Sequence, residues 1–491
     1  MLDIVQHNLK EKAVTGMIWT TIQRFTSIGI QFISGIVLAR LLMPEDYGAI
    51  GMLTIFMLVA QSFLDGGFGA ALIQKKRPTQ DDYSTIFWFN LGMSILLYLI
   101  LYTSAPFIAD FYHMPILCDV LRVQALVLII SALTIVQANQ LRKHFKFKKI
   151  ALVSIFTSII SLVVIIWMAY EGYGVWALVA HGLLGSAIPS VIYWFTNKWY
   201  PKLVFSIKSL KELFSFGVYI LLTHVINEIS MNIQGLLIGR FYNANVMGYY
   251  SKAKSTEKLA ATSISQALGQ ITLPLYSELQ DNKNALINMI KKLTGLVAFV
   301  TFPLMFLLIL LAKPIFILLY SYRWVSSVPY FQILCFSGIA LCLQSVNLQA
   351  ISAIGKSKIM FTWTIIKRIL SISLVVIGLL IGDIYGLLTG MVIGTWLIYF
   401  INIYLVDKHI GYKFYRQLRD LLPIFLLASI SFLVAFLFSY VIDFSLYVNA
   451  LFVALLFMTL YLYFAYINKM TELSFCIELM SKMFRRIIKK S

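Results

Sequence analysis

Long apolar runs separated by short polar connections make up most of this 491-residue chain. About 20 consecutive apolar residues are enough for a helix to cross a bilayer. The pattern therefore predicts an all-α polytopic membrane protein with about 14 transmembrane helices. We place the spans near residues 13–38, 47–72, 84–105, 117–140, 150–169, 174–195, 213–239, 247–271, 286–311, 329–352, 359–381, 385–406, 421–441 and 446–467.

One predicted span, 247–271, is much more polar than its neighbours. At about 100° per residue its polar side chains fall on one side of the helix; they are Ser251, Lys254, Ser255, Lys258, Thr262, Ser265 and Gln266. A charged side chain at the bilayer centre costs roughly 2.5–3.5 kcal/mol on insertion scales. The stripe therefore predicts a helix that lines a basic, water-filled cavity. Lys252 lies about 100° from the stripe, and we expect it to snorkel to the outer surface.

The distribution of basic residues tests this topology, because cytoplasmic connections are enriched in Lys and Arg. With the N-terminus placed inside, 29 of the 40 Lys and Arg fall on inner connections and tails, whereas five fall on outer connections and six within spans. We therefore predict a cell-membrane protein with both termini in the cytoplasm. The formal charge of +19 then follows from the topology, and no nucleic-acid partner is needed to explain it.

The two halves of the chain share a pattern at a fixed offset of 200 residues. Arg40 and Gly48 recur as Arg240 and Gly248. Two six-helix repeats that enter from the same side predict two lobes related by a pseudo-two-fold axis along the membrane normal. The predicted division is an N-terminal lobe, a C-terminal lobe and two appended C-terminal helices with a basic tail, at residues 1–212, 213–420 and 421–491.

Polar side chains inside other spans extend the predicted cavity. Arg24 lies near the middle of span 1, and Lys367 and Arg368 lie inside span 11. These join Lys254 and Lys258 as candidate bases of the cavity. The candidate polar lining is Gln31, Asn227, Ser255, Thr262 and Gln266.

Three acids also lie inside spans, namely Asp65, Glu228 and Glu257. Glu257 could form a salt bridge with Lys254 or Lys258. Glu228 could pair with Arg24 or bind a coupling ion, and Asp65 is a second candidate for ion coupling. Six intramembrane bases against three acids leave about three positive charges unpaired, which indicates an anionic cargo. A phosphate carried together with sugars suits such surroundings.

Motifs for enzymatic chemistry are absent from the sequence. The stretch Ala350–Ser357 resembles a phosphate-binding loop, but alanine occupies the first glycine position and no strand precedes it. The His and Cys residues show no metal-ligand spacing, and the outer connections are too short for a catalytic domain. We therefore predict a transporter without a metal or cofactor, and not an enzyme.

An ordered set of short motifs between residues 10 and 425 resembles the Wzx-type oligosaccharide flippases. The motifs are LARLL at 38–42, PEDYG at 44–48, DGGFG at 65–69, ALIQKK at 71–76 and FSFG at 214–217. The resemblance is strongest for the branch that includes colanic acid and teichuronic acid exporters. This branch belongs to the multidrug/oligosaccharidyl-lipid/polysaccharide exporter superfamily.

The resemblance implies twelve core helices in two lobes plus two extra helices. It also implies a cargo, an undecaprenyl-pyrophosphate-linked oligosaccharide that moves from the cytoplasmic to the outer leaflet. Basic lumen residues of that family are thought to meet the pyrophosphate, and we carry this role over to Arg24, Lys254 and Lys258. Lys367 and Arg368 are added from helical periodicity. Membrane lipid, a polysaccharide polymerase and its chain-length machinery are the implied partners.

Two alternatives stay open at this point. A cation-coupled multidrug exporter of the same superfamily would have an acidic or aromatic pocket in place of a basic one. A lipid II flippase would share both the basic cavity and the predicted number of spans.

Overall fold

The computed structural model describes residues 2–65, 68–75, 78–441 and 445–488, and side chains of several helical stretches, including 262–271, lie outside this description. Within these ranges every regular element is helical, with seventeen α-helices and one 3-10 helix. Eleven described helices are long and apolar enough to cross a membrane. The prediction of an all-α polytopic membrane protein is thereby confirmed.

Contacts between residues divide the chain into two compact units, Met1–Ser251 and Lys252–Ser491. The helices of unit 1 are α1 (Leu2–Leu41), α2 (Pro44–Asp65), α3 (Phe68–Gln74), α4 (Gln80–Phe111), α5 (Ile116–Gln124), α6 (Leu126–Lys143), α7 (Phe147–Tyr170), α8 (Val175–Thr196) and α9 (Ile207–Phe241). Helix α10 (Ala244–Glu278) begins in unit 1 and continues into unit 2. The predicted lobe boundary at residue 212 concerns the sequence repeat, and it stays a prediction.

Unit 2 contains the remaining helices. They are α11 (Lys283–Leu310), α12 (Ala312–Tyr320), the 3-10 helix Tyr322–Ser327, α13 (Val328–Ala353), α14 (Ser357–Ile410), α15 (Phe414–Val441), α16 (Leu446–Ile467) and α17 (Thr471–Ile488). The core of this unit is strongly aromatic: Trp324, Phe316 and Phe331 are fully buried. Tyr461 of α16 donates a hydrogen bond to the carbonyl of Phe299 at 2.9 Å, which ties α16 to α11.

The segment α14, of 54 residues, consists of two helices, because its backbone departs from helical geometry at Gly382 and Asp383. The predicted spans 359–381 and 385–406 lie on either side of this break. A Cβ atom on Gly378 would overlap the carbonyl oxygen of Gly386, so the two halves pack backbone to backbone. The two predicted spans are therefore two separate helices that fold back on each other. Helices α9 and α10 are not among the eleven apolar candidates, and the count of 14 spans stays a prediction.

Connections that the charge pattern assigns to the cytoplasmic side lie together at one end of unit 1. Lys75, before α4, lies 3.1 Å from Asp82 at the start of α4 and 3.1 Å from Glu212 at the start of α9. Burial disfavours the charged form of Lys75, but its hydrogen bonds to Glu212 and Asp82 outweigh this effect and raise its pKa. Trp199, after α8, donates to the Gln80 side chain at 2.7 Å. The structure thus brings two predicted inner connections into contact, the one before span 3 and the one before span 7.

Asp82 has two roles at this end, and its loss is expected to destabilise unit 1. Its carboxylate accepts the Thr79 backbone N–H at 2.8 Å, and the Thr79 hydroxyl accepts the Asp82 N–H, so the pair forms a capping box. We expect Asp82→Asn to lower the free energy of unfolding by about 1–2 kcal/mol, because it removes the buried partner of Lys75 while leaving Glu212. Thermal unfolding of the purified protein measures this, with the exposed neighbour substitution Asp81→Asn as the control. Equal melting temperatures for the two variants would contradict this role.

The opposite end of unit 1 contains a close crossing of α2 and α10. A Cβ atom on Gly48 of α2 would overlap the carbonyl oxygen of Ala244, and a Cβ atom on Gly248 of α10 would overlap that of Pro44. Pro44 and Ala244 are 200 residues apart, as are Gly48 and Gly248. The contact between Gly248 and Pro44 is therefore the repeat equivalent of the contact between Gly48 and Ala244. Such reciprocal contacts are expected where two repeated segments are related by a local two-fold axis.

Candidate functional site

The polar stripe of α10 lies at the start of unit 2, and only its first part has described side chains. Lys258 and Ser255 are exposed, and Lys254 is half-buried. The Ser255 hydroxyl donates to the carbonyl of Lys252 at 3.0 Å, a bond within the helix. The predicted lining residues Thr262 and Gln266 fall in the stretch whose side chains lie outside the described residues. Two of the predicted phosphate-binding bases are therefore solvent-accessible within their own unit.

Glu257 does not pair with the lysines of its own helix. Its side chain is only 7% exposed, and no ion pair within 4.0 Å involves it among the described residues. It points instead at α13, where a Cβ atom on Gly338 would lie 2.6 Å from its Oε1 atom. That oxygen is buried without a hydrogen-bond partner in the described part of the chain. The salt bridge with Lys254 or Lys258 that the sequence left open is not among the ion pairs of the described residues.

Lys252 is buried in place of snorkelling to the surface. Its side chain is 4% exposed, and its Nζ atom lies 4.0 Å from the ring centroid of Tyr320 and 5.7 Å from that of Trp324. Aromatic faces attract a cation through the ring quadrupole. The interaction with aromatic rings therefore replaces the predicted contact with the outer surface.

Lys367 and Arg368 of α14 differ in their surroundings, although they are adjacent in sequence. Lys367 is 8% exposed, and its ammonium donates to Oδ1 of Asn402, which lies on the second of the two helices of α14. Arg368 is half-buried. The hydrogen bond from Lys367 ties the two halves of α14 together. Asn402 was not identified from the sequence, because a folded-back partner 35 residues away leaves no periodic signal.

A polar cavity of about 320 Å³ lies in unit 1 between α1, α7 and α8. The predicted lining residue Gln31 is on its wall, together with Gln23 and Ser34 of the same helix and His181 of α8. Arg24, the neighbour of Gln23, is half-buried. Among the residues described on this wall there is no Lys, Arg, Asp or Glu. The cavity therefore offers neutral hydrogen-bonding groups.

Helix α7 supplies a row of hydroxyl groups to this wall, at Ser154, Thr157, Ser158 and Ser161. Thr157 and Ser161 are 6% and 1% exposed, and neither hydroxyl oxygen has a hydrogen-bond partner among the described residues. A hydroxyl can donate one hydrogen bond and accept two. The sequence analysis missed this row, although its three- and four-residue spacing is a helical signal.

The predicted polar residues of α9 do not pair with those of α1. Glu228 accepts a hydrogen bond from Nδ2 of Asn232 at 3.1 Å, one turn along its own helix. An Arg24–Glu228 ion pair is not among those in the described ranges. Asn227 is half-buried, and the side chain of Asp65 lies outside the described residues. The role of Glu228 and Asp65 in ion coupling stays a prediction.

Comparison with known proteins identifies the family. Residues 37–329, more than half of the chain, match the family model described as polysaccharide biosynthesis protein. The teichuronic acid biosynthesis protein TuaB of Bacillus subtilis is 26% identical over 358 residues, which are 72% of this chain and 74% of TuaB. The lipopolysaccharide biosynthesis protein WzxC of Escherichia coli is 24% identical over 410 residues, which are 81% of this chain and 82% of WzxC.

Solved structures show the same fold. The lipid II flippase MurJ in an inward closed conformation superposes with a TM-score of 0.74 at 17% identity, covering 91% of this chain and 98% of MurJ. An inward-facing multidrug resistance transporter of the MATE family gives a TM-score of 0.63 at 16% identity, covering 81% and 98%. These comparisons confirm the predicted resemblance and the prediction of a transporter and not an enzyme. The chain belongs to the polysaccharide biosynthesis protein family of multi-pass membrane proteins.

Proposed function

We propose that this protein is a flippase that moves an undecaprenyl-pyrophosphate-linked oligosaccharide from the cytoplasmic to the outer leaflet for surface polysaccharide export. The observation that supports the proposal is the presence of two polar surfaces of different chemistry, one in each unit. One is cationic, on α10, and the other is neutral and rich in hydroxyl groups, between α1, α7 and α8. A lipid-linked oligosaccharide has a matching pair of chemical groups, a diphosphate and sugars.

The diphosphate is assigned to the bases that the structure leaves accessible. Lys258 is exposed and Lys254 half-buried on α10, and Arg24 is half-buried on α1. Ammonium and guanidinium groups form short, charge-assisted hydrogen bonds with phosphate oxygens. Lys367 is a weaker candidate than these three because its ammonium already donates to Asn402. Arg368 remains part of the proposal.

The sugars are assigned to the cavity that contains Gln31 and the hydroxyl row of α7. Its volume of about 320 Å³ is at the small end of the range for ligand pockets, about 300–1,000 Å³. It would therefore hold one part of an oligosaccharide. Thr157 and Ser161 bring unsatisfied hydroxyl groups that sugar hydroxyls can pair with.

Transport against a gradient requires an energy source, which we assign to an ion bound by an intramembrane acid. Glu228 and Asp65 are the acids proposed from the sequence, and the structure adds Glu257. An ionised carboxylate that is buried without a partner is energetically costly, so Glu257 is suited to carry a proton. We further propose alternating access, cytoplasmic termini, and delivery of the cargo to a polysaccharide polymerase.

A reconstituted transport assay tests the proposal. Proteoliposomes would contain the full chain and a fluorescent undecaprenyl-pyrophosphate-linked oligosaccharide, whose leaflet is read by quenching with a membrane-impermeant reductant. We expect protein-dependent translocation of this lipid, because the pyrophosphate and the sugars each have a surface to bind. A cationic dye and lipid II serve as competing cargoes. Export of the dye alone would instead support a drug exporter, and transport of lipid II alone a lipid II flippase.

A further inference from the structure

A second cavity, of about 760 Å³, lies within unit 2 between α11, α15, α16 and the start of α17. None of the proposed cargo-binding residues lines it. Its charged wall comes from helix ends and connections, with Lys291 near the start of α11, Arg419 near the start of α15 and Lys469 just after α16. All three belong to connections that the charge pattern assigns to the cytoplasmic side.

The wall changes from polar to apolar along α15. Leu421, Ile424, Leu427 and Ile430 line the cavity at successive three-residue steps. At 1.5 Å per residue the last of these lies about 14 Å further along the helix than the first. The cavity is therefore amphipathic, with a charged mouth at the helix ends and an apolar wall that follows the helix.

Basic side chains outnumber carboxylates on the cavity wall, with Lys291, Arg419 and Lys469 against Asp420 and Glu472. Lys291 lies 3.0 Å from Asp420, and Asp420 also accepts a hydrogen bond from the Tyr412 hydroxyl at 2.6 Å. Burial and this hydrogen bond raise the pKa of Tyr412, which keeps it a neutral donor. Arg419 and Lys469 are exposed, and no carboxylate lies within 4.0 Å of either among the described residues. Two cations at the mouth are thus available to an anion.

Two polar groups in the wall also lack partners. Gln417 is 1% exposed, and its Nε2 atom donates to the carbonyl of Tyr412 at 2.9 Å, but its Oε1 atom is buried without a partner among the described residues. Thr294 is 3% exposed, and its hydroxyl oxygen is also buried without a hydrogen-bond partner among the described residues. A buried acceptor without a donor is energetically unfavourable. A ligand that brings a hydrogen-bond donor as well as a negative charge would match both features of the wall.

We propose that this cavity binds an anionic phospholipid with hydroxyl groups on its headgroup, of the phosphatidylglycerol type, taken from the leaflet at this end of the protein. The phosphate pairs with Arg419 and Lys469, and a glycerol hydroxyl donates to Gln417. The acyl chains follow the apolar face of α15. A headgroup with its own ammonium would place a positive charge against these two cations. This lipid is not the cargo, so the proposal goes beyond the flippase function.

Lipid binding to the purified full chain tests the charge part of the proposal. Native mass spectrometry after addition of phosphatidylglycerol or phosphatidylcholine measures the affinity for each lipid. The double variant Arg419→Gln/Lys469→Gln is expected to bind phosphatidylglycerol about 30-fold more weakly, because each of the two surface cations contributes about 1 kcal/mol to binding of an anionic lipid. The control Lys208→Gln/Lys408→Gln removes two exposed cations outside the cavity and should leave the affinity unchanged. Equal weakening in both double variants, or equal binding of the two lipids by the wild type, would overturn the proposal.

The hydroxyl part is tested by comparing phosphatidylglycerol with phosphatidic acid, whose headgroup lacks the glycerol. We expect the wild type to prefer phosphatidylglycerol about fivefold and Gln417→Leu to lose this preference. The wild-type comparison stands even if the variant folds poorly. No preference in the wild type would remove the role of Gln417, and equally tight binding of free glycerol phosphate would identify a soluble ligand in place of a lipid. Neither result depends on cargo transport.

Discussion

Replacing Gly248 by alanine is expected to lower the free energy of unfolding by about 3 kcal/mol and to reduce the yield of folded protein. The new methyl group would overlap the carbonyl oxygen of Pro44 in α2. A backbone carbonyl cannot rotate away as a flexible side chain can, so α2 and α10 would have to separate. Because Gly48 makes the equivalent contact with Ala244, Gly48→Ala should have a loss of similar size.

Thermal unfolding in detergent, followed by loss of soluble protein, measures both effects. Gly29 of α1 is the matched control, since a Cβ atom there would meet nothing within 4 Å. Glycine inside a helix costs about 1 kcal/mol relative to alanine, so Gly29→Ala should be neutral or slightly stabilising. Opposite signs at Gly248 and Gly29 would show that the crossing, and not helix propensity, decides the outcome.

The double variant Gly48→Ala/Gly248→Ala tests whether the two contacts form one crossing. A single added methyl already separates the helices, so the second should cost less, and the loss should be clearly smaller than the sum of the two single losses. If the two single losses in free energy of unfolding added exactly, the two contacts would be energetically independent. That result would contradict the reciprocal geometry described above.

Much of the fold follows from the sequence because burial in lipid leaves a strong pattern. Apolar runs of span length predicted the helices, and the break at Gly382 and Asp383 falls between two predicted spans. The 200-residue offset paired Gly48 with Gly248, and the structure places both in one crossing. The distribution of positive charge predicted which connections lie on the same side of the membrane. In agreement, Lys75, Asp82 and Glu212, from two such connections, meet at one end of unit 1.

The candidate site was less predictable because a helical wheel shows which residues share a face but not what packs against the other faces. Glu257 lies about 120° from the centre of the polar stripe at 100° per residue, and Lys252 about 100° on its other side. At these angles neither residue shares the face of the polar stripe. The Gly338 backbone and the rings of Tyr320 and Trp324 that receive them come from residues over 60 positions away. Such partners appear only when the chain is folded.

Charge reversal at the accessible bases is the second large expected effect. Lys258→Glu and Arg24→Glu should each abolish translocation of the lipid-linked oligosaccharide in proteoliposomes and surface polymer in cells, at unchanged protein level. A hydrogen bond to a charged group contributes about 1.5–3 kcal/mol, and reversal adds repulsion. We therefore expect flux to fall by at least about 100-fold. Lys258→Arg, which keeps the charge, should retain most of the activity.

The control for this prediction is Lys208→Glu, which makes the same change of charge at an exposed position in the first turn of α9. It should leave transport intact, because a cation in a polar connection takes no part in binding the diphosphate. Glu257 strengthens the test, since it does not neutralise Lys258 in the structure, and removal of the lysine therefore removes a charge that is available to the cargo. Normal flux in Lys258→Glu and Arg24→Glu would show that the diphosphate is bound elsewhere. Equal loss in Lys208→Glu would instead attribute the effect to topology, because that lysine belongs to a connection whose positive charge sets orientation.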